Sequence, residues 1–277
     1  MSYFDSYYDT PARRKAPRGT FKASPLFLAF VGILLVGCVL AWLDKGNRGF
    51  NIFLIVVGGW LVSLCFHEFA HALVAYHAGD YGVVGRGYLQ LNPAKYTHWL
   101  MSIVLPLLFI IAGGIALPGG AVMIDHGQIN KKWKDSAISI AGPAVNLIVT
   151  IACVLPFALG VDPSAHPVFW SGIAYLAFLQ SMATLFNLLP IPGLDGGNAI
   201  YPWLPYSWRR HFDSVRPFGF LIVFLILWHT GVGTSMVRGL QDLVVSAGIP
   251  NNAIFYGDQF FRFWQNPPQG FPAGINF

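Results

Sequence analysis

One glutamate, Glu68, stands in the whole chain of 277 residues, and only 10% of the residues are charged. Against that shortage, 55% are hydrophobic and the mean hydropathy is +0.55. This balance excludes an ordinary soluble domain and leaves an integral membrane protein. Cysteine is scarce as well: Cys38, Cys65 and Cys153 are isolated, each inside an apolar segment. They form neither a disulfide framework nor a CxxC metal pair, and they read as small packing residues. No internal repeat is evident, and no long polar insertion could house a second soluble domain. The formal net charge of +5 does not imply nucleic acid, and none is expected as a partner, because lysines and arginines collect in short segments beside apolar runs.

Apolar stretches near 25–43, 51–79, 136–160, 168–190 and 216–235 are each long enough to cross a hydrocarbon core that needs roughly 20 helical residues. A sixth, 99–124, contains Pro106, Gly113, Gly114, Pro118, Gly119 and Gly120, which break helices and let the backbone turn back inside a protein-lined cavity. The expected fold is an all-α polytopic membrane protein of five to six transmembrane helices, with a re-entrant or short β element between the second and third full spans. Arg13, Arg14, Lys15, Arg18 and Lys22 precede the first apolar run, so residues 1–24 read as a cytoplasmic basic tail. That run lacks a small-residue cleavage site and reads as an uncleaved anchor. A membrane domain then covers 25–235, with its core at about 51–200, and 236–277 reads as an interfacial segment, where Phe260, Phe261, Phe263 and Trp264 favour the headgroup boundary. The expected location is the cell (plasma or inner) membrane.

Inside the second apolar run lies His67-Glu68-Phe69-Ala70-His71, an HExxH pentapeptide. Residues four apart on a helix share a face, so His67 and His71 can offer two imidazoles to one metal ion, and Glu68 lies beside them, placed to activate a water. An uncompensated carboxylate at the bilayer centre costs about 2.5 to 3.5 kcal/mol on insertion scales, so a functional reading of Glu68 is the default.

A catalytic zinc takes three protein ligands, and two histidines are one short. A second glutamate does not exist. His77 follows His71 by six residues, the spacing of HExxHxxGxxH proteases, but Val74 stands where the turning glycine would be, so a continuing helix carries His77 off the ligand face. Asp195 ends the segment FNLLPIPGLDGG at the close of another apolar run, where Pro190 and Pro192 interrupt the helix and the glycines permit close backbone approach. Intramembrane acids face partners or cavities, and Asp195 is therefore the preferred third ligand. For Asp195 to meet the histidines, an even number of crossings must separate them. This favours re-entry of 99–124 from the cytoplasm, places Lys131, Lys132, Lys134, Arg209, Arg210 and Arg216 on that side, and sets the site nearer the cytoplasmic face.

Other polar residues are less decisive. Asn146 in AGPAVN, a small, kinked stretch suited to close helix packing, is either an oxyanion donor or an interhelical hydrogen-bonding residue. Asn187 either orients the ligand, binds substrate backbone or makes a structural bond. His98, His126, His166, His211 and His229 lie in loops or near span ends. The segment Gly85 to Pro93 alternates polar and apolar residues, which fits a short strand or a solvated connector.

HEFAH, AGPAVN and FNLLPIPGLDGG in this order within one membrane domain resemble the site-2 protease family of intramembrane zinc metalloproteases, over roughly residues 51–200. The resemblance implies one zinc ion held by His67, His71 and Asp195, Glu68 as general base, and Asn146 and Asn187 assisting. It also implies hydrolysis of peptide bonds within or near transmembrane helices of membrane-bound regulators, the substrate being a single-pass membrane protein within the lipid bilayer. Neither a PDZ nor a CBS insertion is present, so substrate selection falls to the membrane domain, the re-entrant loop or a separate partner, and a homo-oligomer or an accessory protein is the further expected partner. A metal transporter would place ionisable residues on several spans, whereas the acids within apolar segments are Glu68 and Asp195. A catalytically silent scaffold would show a lost ligand, and none is lost.

Overall fold

The computed structural model describes residues 20–95, 122–219, 222, 225 and 231–265. Four of its helices are long and apolar enough to cross a membrane: α1 (Pro25–Trp42), α2 (Arg48–Ala78), α3 (Lys132–Ala158) and α4 (Pro167–Asn187). They match four of the expected apolar runs to within a few residues. Shorter helices follow, α5 (Asp195–Ile200), α6 (Tyr206–Val215), α7 (Gly231–Ser246) and α8 (Asn251–Phe261), and no strand occurs among the described residues. Within the fifth expected run, 216–235, residues 220, 221, 223, 224 and 226–230 lie outside the described residues, as does 99–124 up to residue 121.

The ends of the first two spans are written locally. Ser24 accepts from the Phe27 amide at 3.1 Å while Pro25 opens α1, and Asn47 accepts from the Phe50 amide at 2.9 Å to cap α2. Between them Arg48 binds Asp44 through two bonds of 2.8 and 2.6 Å, and this guanidinium holds the Asp44 carboxyl below its ordinary range. At 31 residues α2 is about 46 Å long, well beyond a hydrocarbon core of about 30 Å. Its excess length carries it out of the apolar layer at one end or both.

Helices α2 and α4 form the buried centre, through Ile52, Ile55, Val56, Ala174, Leu179, Met182 and Phe186. By contrast α1 exposes Leu28, Leu35, Val36 and Val39, and α3 exposes Leu147, Ile148, Ile151 and Leu155. Faces of that kind suit the hydrocarbon of a bilayer. Close approach of α1 to α2 depends on Gly58, where a Cβ would stand 2.7 Å from the Leu34 amide nitrogen.

Lys134, in the first turn of α3, donates to the Ala78 carbonyl at the end of α2 over 3.0 Å. The chain between these spans therefore leaves and returns at one end of the bundle. Near its start, the short strand considered over Gly85 to Pro93 is not formed. Gly87 and Leu91 take left-handed backbone angles, with φ of 75° and 43°, and Tyr88–Gln90 coils into a 3₁₀ turn whose Tyr88 and Leu89 are buried. Such angles curl the chain and leave no extended edge. A further correction concerns the C-terminal aromatics. Phe260 and Phe261 are buried in the core, with the Phe261 ring centred 5.6 Å from both Phe53 and Tyr175. This seat exists because Gly257 meets the Ser171 carbonyl and Gly49 meets Phe263 with no side chain between.

Candidate metal centre

His67 and His71 lie one turn apart in α2 and are both buried. Asp195 reaches them from the first position of α5, because the chain after α4 folds back sharply. Gly193 has φ of 93°, a left-handed angle, and Gly196 and Gly197 press against the carbonyls of Leu188 and Ile191, where any side chain would collide. The result is a tight turn that aims the Asp195 carboxylate at α2.

The three acceptor atoms converge. His67 Nε2 and His71 Nε2 are 3.0 Å apart, and Asp195 Oδ2 is 3.2 Å from the first and 3.4 Å from the second. Tetrahedral zinc with bonds of about 2.0 to 2.1 Å separates its ligand atoms by about 3.3 Å, which these distances match. The imidazole protons are placed elsewhere: His67 Nδ1 meets Asn146 Oδ1 at 2.5 Å, and His71 Nδ1 meets the Ile138 carbonyl at 2.7 Å. Each neighbour is an acceptor, so each Nδ1 carries the proton and each Nε2 keeps a lone pair. Two lone pairs and a carboxylate oxygen at such spacing repel one another without a cation. Helix α3 also leaves space for the cluster, because a Cβ on Gly142 would collide with the Nε2 atoms of both histidines. The residues present thus fit a zinc ion.

Glu68 is buried beside the cluster, and its Oε2 accepts from the Val122 amide at 3.1 Å. His77 is exposed and lies outside the group, packed edge-on against Tyr76. Of the other histidines, His126 pairs with Asp135 at 3.0 Å, His166 stacks on Trp42 and His211 meets the Ser207 carbonyl, whereas His98 and His229 lie outside the described residues. Asn146 is held from both ends, its Oδ1 by His67 and its Nδ2 by Gln180 Oε1 at 2.9 Å. Asn187 is buried at the end of α4. Gln180, Ser63 and the Ile138 carbonyl escape a reading of the sequence. A lone amide in the run LAFLQSMATLF was the available sign of Gln180, but nothing in its spacing says which helix it faces.

Two buried imidazoles and a partly buried carboxylate brought together between apolar helices point to a multi-pass membrane protein with a group that could hold a metal ion. Peptidase family M50 matches residues 52–163 of the chain. "Putative zinc metalloprotease Rip2" of Mycolicibacterium smegmatis is 41% identical over 255 residues, covering 89% of this chain and 96% of that protein. The protein of the same description from Mycobacterium tuberculosis is 40% identical over 254 residues, again with 89% and 96% covered. "Putative zinc metalloprotease YwhC" of Bacillus subtilis is 35% identical over 184 residues, with 63% of this chain and 80% of that protein covered. No solved structure matches. The chain belongs to peptidase family M50, the intramembrane zinc metalloproteases of the site-2 protease type.

Proposed function

We propose that this zinc metalloprotease cuts peptide bonds within or near the transmembrane helices of single-pass regulatory proteins, with His67, His71 and Asp195 as zinc ligands and Glu68 as general base. The convergence of two Nε2 lone pairs and one carboxylate oxygen, with both Nδ1 protons committed elsewhere, carries the assignment. Bound zinc would supply Lewis acidity for the scissile carbonyl and lower the pKa of the attacking water. Glu68 accepts the proton of that water and passes it to the leaving amine. The Val122 amide holds one carboxylate oxygen of Glu68, which leaves the other to accept the proton. Asn146 acts as a positioning residue, since its oxygen is committed to His67, and Asn187 is the remaining amide for substrate backbone or oxyanion.

Water and the substrate enter from the cytoplasmic side in this reading. Lys131, Lys132, Lys134, Arg209, Arg210 and Arg216 gather at the start of α3 and in or just after α6, at the end of the bundle where Lys134 meets Ala78. That distribution supports a cytoplasmic placement, and the shared end of α2 and α3 supports re-entry of 99–124. Substrate helix must unwind, because its hydrogen bonds hide the scissile carbonyl. A transport path would place ionisable sites along several spans, and among the described residues the group of His67, His71 and Asp195 is the sole cluster of this kind.

The test is co-expression of the chain with a panel of single-span membrane regulators, comparing wild type with Glu68→Gln. Cleavage of a panel member that stops in Glu68→Gln, with zinc content unchanged, is expected. A broad panel left intact by zinc-loaded wild type would overturn the proposal.

A further inference from the structure

Beyond the ligands, a buried polar chain runs across three helices. Gln180 stands in the middle of α4, fully buried among apolar side chains. Its Oε1 accepts from Ser63 Oγ of α2 at 2.8 Å and from Asn146 Nδ2 of α3 at 2.9 Å, while its Nε2 has no partner among the described residues. A buried amide with an unpartnered N–H is disfavoured against leucine of similar size, so packing alone does not account for it.

The direction of the bonds supplies a role. With Gln180 Oε1 facing Asn146, the Asn146 amide must turn its N–H toward α4 and its Oδ1 toward His67, where it takes the Nδ1 proton. If Asn146 turned over, its N–H would face His67 Nδ1, which would have to become an acceptor. The imidazole proton would then move to Nε2, the atom facing His71 and Asp195. Such a tautomer has no lone pair to give a metal. An amide free to rotate populates both arrangements, and an acceptor at Gln180 removes the second.

We propose that Gln180 is a positioning residue for the zinc site, locking the Asn146 amide so that His67 presents an unprotonated Nε2. The proposal rests on His67 being a zinc ligand. It also assigns the unpartnered Nε2 a reason, because the side chain is kept for its oxygen.

The experiment measures zinc affinity of the purified full chain in detergent by chelator competition, with the visible spectrum of the cobalt-loaded protein as a report on coordination. Gln180→Met keeps the volume and removes the acceptor, and should weaken zinc binding about tenfold, as loss of outer-sphere support to a ligating histidine does. Gln180→Asn, one methylene too short to reach both donors, carries the same expectation where Gln180→Met does not fold. Gln180→Glu keeps acceptors toward both donors and should bind zinc within about threefold of wild type while folded, following the same outer-sphere logic. In a double-mutant cycle, Asn146→Ala with Gln180→Met should bind no more weakly than Asn146→Ala alone, since the glutamine acts through the asparagine. Wild-type affinity in folded Gln180→Met or Gln180→Asn, losses that multiply in the cycle, or a folded Gln180→Glu that loses zinc would each overturn the proposal. His67→Ala separates the two levels: if it keeps high-affinity zinc, the ligand reading itself fails. If His67→Ala abolishes binding while Gln180→Met is silent, only the positioning role fails.

Discussion

Gly142 of α3 faces His71 of α2 so closely that a methyl carbon on the glycine would stand 2.2 Å from the imidazole Nε2, and 2.4 Å from that of His67. Helix propensity and site geometry therefore oppose each other at this position. Alanine is favoured over glycine inside a helix by about 0.5 to 1 kcal/mol, so Gly142→Ala should leave the helical content intact. Its methyl group, however, displaces both histidines. We expect zinc binding to fall below one ion per chain and proteolysis to fall by at least about a hundredfold, the scale of a 1 Å misplacement in an active site. Zinc content by elemental analysis and helical content by circular dichroism check the two halves separately.

Asp195 and Glu68 should separate just as cleanly. Asp195→Asn preserves shape but replaces an anionic ligand by a neutral amide, so zinc affinity should drop by orders of magnitude and activity with it. Glu68→Gln touches no ligand atom and should retain one zinc per chain while cleavage is lost. Zinc linkage gives a second measurement: saturating zinc at a hundred times Kd stabilises the folded chain by about 2.7 kcal/mol. That shift in melting temperature is expected for wild type and Glu68→Gln, and should vanish in Asp195→Asn.

The spans were legible because bilayer thickness fixes their length. A run near 168–190 could hardly become anything but the helix Pro167–Asn187. HEFAH was legible because one helix carries all three residues, so spacing alone fixes their geometry. Asp195 was reachable only by elimination, and its approach depends on a glycine turn whose direction no periodicity encodes. Gly85 to Pro93 leaves a strand and a connector both open for the opposite reason: its alternation suits a strand, but Gly87 and Leu91 adopt left-handed angles that tertiary packing selects. Gln180 was invisible as a functional residue, because its meaning lies in which atoms of Ser63 and Asn146 it meets across helices.

The contact of Lys134 with Ala78 brings the end of α2 and the start of α3 to one end of the bundle, the end proposed to face the cytoplasm. Lys45 and Lys132 lie at opposite ends of the bundle, one in the turn between α1 and α2 and the other at the start of α3, and both are exposed. In a chain whose three native cysteines are replaced, Lys45→Cys should react with an impermeant maleimide added to intact cells. Lys132→Cys should react only after the membrane is opened. Labelling of Lys132→Cys in intact cells would invert the proposed orientation.

Asp80 links the start of the connecting segment to its end. Its carboxylate is fully buried and accepts from the Gly82 amide at 2.9 Å, Arg86 Nη2 at 2.6 Å and the Asp125 amide at 2.9 Å. Three residues before Asp125, the Val122 amide holds Glu68. Asp80→Ala strands three donors and breaks a buried ion pair, a change that costs about 3 kcal/mol even though Arg86 reaches solvent. The melting temperature should fall accordingly. Because the proposed ligands sit on α2 and α5, zinc content should remain one per chain, whereas turnover should fall as Val122 loses its anchor and Glu68 its fixed orientation. Equal turnover in Asp80→Ala and wild type, measured below the lowered melting temperature, would show that Glu68 is oriented without help from this segment.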